Sequence, residues 1–103
     1  MVPVHSSYAA DPDMLELVRE FALELPERAD ALERLLAGGR LEELGVLAHQ
    51  LKGAGGGYGY AQVSEVAGVL ELALHEGEAV PEIERRTVEL CKLLRAVVAP
   101  ETP

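Results

Sequence analysis

The chain of 103 residues has no tryptophan, one phenylalanine, three tyrosines and a single cysteine. With so few aromatics its interior must be made mostly of Leu, Val and Ala. Cys91 alone can form neither an internal disulfide nor a multi-cysteine metal site, and its place on an apolar helical stripe favours an inert buried thiol. Cations are scarce too: nine Lys and Arg stand against eighteen Asp and Glu, a net charge of −9 at pH 7. Nucleic-acid recognition needs an electropositive footprint, so this balance argues against a DNA or RNA partner. No basic amphipathic segment suits an anionic membrane surface. No apolar run approaches the roughly 20 residues that span a bilayer, and the N-terminus lacks the basic-then-apolar layout of a signal peptide. A cytoplasmic location is therefore expected. The three histidines, His5, His49 and His75, lack the acid and His spacings of bundle metal or haem sites.

What the chain does have is one helical pattern after another, with no useful stretch of strand alternation. Residues 1–10 read as a flexible leader and 100–103 as a frayed tail, with a single domain over 11–99. Asp11-Pro12-Asp13 is a good helix start, an acidic cap with proline in the first turn. Met14, Val18, Phe21, Leu25, Ala29, Leu32 and Leu36 then recur at threes and fours. Pro26 falls inside that run; it removes the bond to Ala22, so the spacing predicts either a kink or a short extra helix ahead of a longer one. Gly38-Gly39 closes the segment. A second helix runs from Arg40 to an end at Gly57 to Gly59, with Leu41, Leu44, Ala48, Leu51, Gly55 and Tyr58 inward. A third covers Ala61 to His75 on Val63, Val66, Ala67, Leu70 and Leu74. Gly77 stops it and Pro81 opens a fourth, whose stripe is Ile83, Thr87, Leu90, Cys91, Leu94 and Val97. Four amphipathic helices on short connections predict an all-α, up-down-up-down four-helix bundle.

The second helix carries the chemistry. At 100° per residue His49 falls roughly 130° from the centre of its apolar stripe, which points the imidazole to solvent. Gly45, Gly53 and Gly56 lie four residues before, four after and seven after it, so the turns above and below the ring on that face carry no side chain. Glycine inside a helix costs on the order of 1 kcal/mol relative to alanine, an expense that core packing does not require. The spacing implies that something approaches His49 closely. Lys52, three residues on, can swing its ammonium over the ring while its stem packs inward. A nucleophilic imidazole beside a cation on a bare helical face suits the acceptance and donation of a phosphoryl group.

His49, Leu51, Lys52, Gly53 and, ten residues after the histidine, Gly59 resemble the pattern of the histidine-containing phosphotransfer (HPt) domains of phosphorelays. The likeness in helix pattern extends over roughly Asp11 to Val98. It implies a phosphocarrier rather than an enzyme: His49 accepts a phosphoryl group from a receiver-domain aspartate or a sensor histidine kinase and passes it to a second receiver. It implies no cofactor of its own, with magnesium in the partner receiver, and a monomer. The chain has no nucleotide-binding glycine loop with which to phosphorylate itself. In such domains a Glu or Gln at the position of Glu71 accepts a hydrogen bond from the histidine's Nδ1, which fixes the tautomer and leaves Nε2 outward. The other reading of Glu71 is a solvated helix charge. His75, one turn further, is read first as an ordinary surface histidine, and second as a partner of Glu71 or of a docked protein. Gly45, Val46, Gly53, Gly56, Gly57 and Tyr60 are the expected docking surface around His49. Two rival readings stay open: an adaptor that binds receivers without accepting phosphate, and the phosphoacceptor domain of a larger histidine kinase.

Overall fold

The computed structural model describes residues 3–101; Met1, Val2, Thr102 and Pro103, the outer ends of the expected leader and tail, lie outside the described residues. Four helices follow in order: α1 (Leu15–Ala37), α2 (Leu41–Gly57), α3 (Ala61–His75) and α4 (Val80–Ala96). Connections of three or four residues join them, too short for anything but antiparallel neighbours. α2 packs most extensively on α3, then α1 on α4, α3 on α4 and α1 on α2, while the Cα atoms of the diagonal pairs stay more than 8 Å apart. That closed ring of neighbours is the up-down-up-down four-helix bundle.

α1 begins at Leu15, after the expected start at Asp11-Pro12-Asp13, which forms a turn ahead of the helix instead. At the start of α1 the Asp11 carboxylate accepts the Asp13 N–H at 2.9 Å, and its carbonyl accepts the N–H groups of Met14 and Leu15. At the other end Gly39 takes φ +68°, and the Arg40 N–H turns back to the Leu35 carbonyl at 2.9 Å, satisfying one of the last orphan acceptors. Pro26 neither divides α1 nor sets off a short extra helix: the helix is continuous through it. Pro26 lies on the exposed face. Val18, Ala22 and Leu25 before it and Ala29 and Leu32 after it are seated in the same core, so packing keeps both halves helical across the missing hydrogen bond.

The core is aliphatic, as the composition requires. Leu25, Leu32, Leu44, Leu51, Leu70, Ile83, Leu90 and Leu94 are among its largest fully buried side chains. Leu47 belongs to it as well, whereas Leu41, expected inward, is 39% exposed. α2 meets α1 on one side and α3 on the other, so its buried face is broader than a single stripe and rotated towards Leu47. At Gly55 α2 and α3 come close together. A Cβ there would sit 2.9 Å from Val63 Cγ1 and 3.0 Å from the Ser64 backbone nitrogen.

The segment ahead of α1 makes specific contacts to the bundle, unlike the loose leader expected. Val4 is buried and pairs in parallel with Val97; its N–H donates to the Ala96 carbonyl at 3.0 Å and its carbonyl accepts from Val98 at 2.8 Å. The Ser6 hydroxyl donates to the Tyr58 carbonyl at 2.6 Å, and the Ser7 N–H to the Gly59 carbonyl at 2.9 Å. Gly59 has φ +82°, and a Cβ on it would lie within 2.6–2.8 Å of atoms of Ser6, Ser7 and Tyr8. Conformation and space both require glycine here. In the tail, the Pro100 carbonyl accepts from Arg19 Nη1 at 2.9 Å.

Cys91 is buried, and its thiol donates to the Ala29 carbonyl at 3.4 Å. Burial pushes the thiol up from 9.0 to about 11, with a smaller push from Glu33. Stability from this group is fully present below about pH 9 and is lost as pH rises through about 11, because the unfolded chain releases the proton first. At pH 8 the native thiol should therefore alkylate at least about 100-fold more slowly than the thiol in denaturant. Equal rates of iodoacetamide labelling in the two states would show that Cys91 is not enclosed.

Candidate functional site

α2 presents His49 at mid-length on its outward face, and the side chain is 73% exposed. Across the α2–α3 seam, Glu71 brings Oε2 to 2.6 Å from His49 Nδ1. Its other oxygen, Oε1, lies 3.5 Å from Lys52 Nζ. One carboxylate thus bridges the imidazole and the ammonium, and with 29% of its side chain exposed it is the least solvated of the three. An ionised carboxylate can only accept hydrogen bonds, so it is the tautomer with the proton on Nδ1 that makes this contact a hydrogen bond and keeps the lone pair on Nε2. The Lys52–Glu71 pair is half solvated and contributes little to stability. It leaves the ammonium next to the carboxylate that also meets the ring.

The glycines about His49 divide into two groups. Cβ atoms at Gly53 and Gly57 would meet no heavy atom within 4 Å; at Gly56 the nearest is Ser64 Oγ at 3.6 Å, and at Gly45 it is Leu74 Cδ1 at 3.7 Å. These four leave the face open, with Val46 55% exposed beside them. Gly55 serves the helix–helix approach described above. Tyr60, expected among the docking residues, is instead a core residue, 1% exposed, with its hydroxyl donating to the Val98 carbonyl at 2.9 Å. As the residue preceding α3 it turns inward, and burial raises its phenol above the usual value.

His75 is exposed at the end of α3. It shares with His49, Glu71, Leu41, Val46 and Leu74 an open groove of ≈ 700 Å³. Leu74 packs against the core as its helical spacing predicts and also lines this groove, whereas Leu41 is an exposed apolar wall at the edge of the bundle. One residue of the site had no place in the sequence reading. Gly68, on α3, lies under the Lys52 stem, and its only signal is a lone glycine inside an apolar helical stripe.

The bundle thus presents an exposed imidazole whose Nδ1 meets a carboxylate, and the same carboxylate meets an ammonium, on an open face with no enclosing cleft. The family model of the Hpt domain matches residues 16–99, and the chain belongs to that family. No curated protein and no solved structure matches the chain. Membership assigns the chain to phosphorelay signalling, among phosphocarriers that work with two-component receiver domains and kinases. Among the described residues no helix is long and apolar enough to cross a membrane.

Proposed function

We propose that this protein is a stoichiometric phosphocarrier in which Nε2 of His49 receives a phosphoryl group from a receiver-domain aspartate, or from a histidine kinase, and delivers it to the aspartate of a second receiver. The observation that carries the reading is the Nδ1–Glu71 contact at 2.6 Å on a ring that is 73% exposed. In the forward step the Nε2 lone pair attacks phosphorus of the aspartyl phosphate. A P–N bond forms as the P–O bond to the aspartate breaks, and the electron pair leaves with the carboxylate. The ring is then cationic, and its Nδ1 proton stays on the hydrogen bond to Glu71, whose charge stabilises it. Lys52 offsets the charge of the phosphoryl oxygens. Transfer to the second receiver reverses each of these changes. The protein supplies nucleophile and position; magnesium held by the receiver would neutralise the transferring group, and the proposed steps use no cofactor of the carrier's own. The reading is tested by incubation with a radiolabelled, phosphorylated receiver, which should move label to this chain as a species stable to base and labile to acid.

Glu71 acts on the ring before any phosphoryl arrives. Glu71→Ala should remove the Nδ1 acceptor, raise the population of the Nε2–H tautomer and slow transfer by about tenfold, the size usual when the group orienting a reactive imidazole is lost. The ¹⁵N shifts of the two ring nitrogens report the tautomer. An unchanged ratio in the variant would reduce Glu71 to a surface charge.

A further inference from the structure

The lysine of the site is seated by a gap on the facing helix. A Cβ at Gly68 would have Lys52 Cδ, Cε and Cγ as its three nearest heavy atoms, at 3.5, 3.6 and 3.9 Å. Gly55 is the informative contrast. There an added Cβ meets Val63 and the Ser64 backbone at 2.9–3.0 Å, so that glycine lets two helices approach. At Gly68 the neighbour is one aliphatic stem. Three residues on from Gly68, on the same face of α3, Glu71 takes the ammonium at 3.5 Å and holds the imidazole. Gly68 and Glu71 together form a track on which Lys52 lies: the stem crosses the bare backbone and the charged end stops at the carboxylate that orients His49.

What a side chain at this position meets first is the Lys52 stem rather than the backbone of a facing helix, so the limit on its size is set by that stem. We propose that Gly68 is a positioning residue: by leaving α3 bare under Lys52, it keeps the ammonium within reach of both the Glu71 carboxylate and the phosphoryl group on His49. This rests on the proposed function for its consequence, though not for the seating itself. The contact is of ordinary van der Waals length, so a methyl group fits under the stem and a branched side chain does not. A long side chain at 68 lifts the stem outward, and the ammonium loses Glu71.

The seating is read without phosphate. Nuclear Overhauser contacts are expected between the Lys52 methylene protons and the Gly68 Hα protons in the wild type, retained to the methyl group in Gly68→Ala, and lost in Gly68→Leu. Their absence from the wild type overturns the proposal whether or not either variant folds. The consequence is read on protein loaded with phosphoramidate and left without a partner, so that docking plays no part. Phosphohistidine in Gly68→Ala should decay within about twofold of the wild-type rate, and in Gly68→Leu about fivefold faster, as fast as in Lys52→Ala. Adding Gly68→Leu to Lys52→Ala should change nothing further, because both act through one ammonium. A wild-type lifetime in Gly68→Leu, or additive losses in the double variant, would show that Gly68 does not act through Lys52. Contacts present in a wild type that takes up no phosphoryl group on His49 would retain the seating and sink the phosphocarrier reading alone.

Discussion

Replacing His49 with glutamine should remove all transferable phosphoryl from this protein while leaving its fold unchanged. The side chain is 73% exposed and contributes no core packing, so its loss costs at most the hydrogen bond to Glu71, about 1 kcal/mol. Chemically the loss is complete. Glutamine keeps a polar side chain but has no nitrogen lone pair with which to form the P–N bond, and nothing at Glu71 or Lys52 replaces it. Wild-type label should be stable to base and labile to acid, and His49→Gln should carry none at an unchanged melting temperature. Full labelling of the variant would move the acceptor elsewhere, and acid-stable label would point to a hydroxyl group.

The second large effect separates two glycines that lie two residues apart. A side chain at Gly53 would enter open space, one turn from the ring. Gly53→Leu should therefore fold normally and gain up to about 1 kcal/mol of helix stability. It should still reduce transfer about 100-fold, because a partner held even an ångström too far loses the in-line geometry. Gly55→Ala should do the reverse. Its Cβ would come within 2.9 Å of Val63 Cγ1, so the variant should lose about 1–3 kcal/mol through overpacking while the folded fraction still accepts phosphoryl. Thermal melts and transfer rates on the two variants decide the matter. A Gly53→Leu protein that relays at the wild-type rate would mean that the open face is not where the partner docks.

The helices were legible because each carries its own stripe and its own stop signals. Gly38-Gly39, Gly57 to Gly59, Gly77 and Pro81 bracket the observed ends to within a residue or so. The exposure of His49 followed from its angle to the stripe of α2 alone. The residues whose place helical spacing does not reveal share one cause: the environment of each is set by a distant part of the chain. Leu47 is buried because α2 has two neighbours, and Pro26 is tolerated because the core holds α1 on both sides of it. Tyr60 turns inward to reach the Val98 carbonyl. Val4 is held by a residue more than ninety positions away. Gly68 could be noticed in the sequence, but its meaning depends on which side chain crosses it, and that is a tertiary fact.

The motif's last glycine belongs with these. Gly59 was read with His49 as one pattern, yet it lies at the α2–α3 turn, where it accepts the Ser7 N–H and leaves room for the segment from Ser6 to Tyr8. On the proposed function the histidine and Gly53 concern the partner; Gly59 concerns the bundle itself.

The parallel pairing of Val4 with Val97 also sets how the domain bears load. A pull that separates the two ends of the chain runs along both paired segments in opposite directions, so the Val4–Ala96 and Val98–Val4 hydrogen bonds are sheared together rather than opened one after the other. Tension from the C-terminal side meets the Arg19–Pro100 hydrogen bond and then this clasp, and the helix that carries His49 lies behind both.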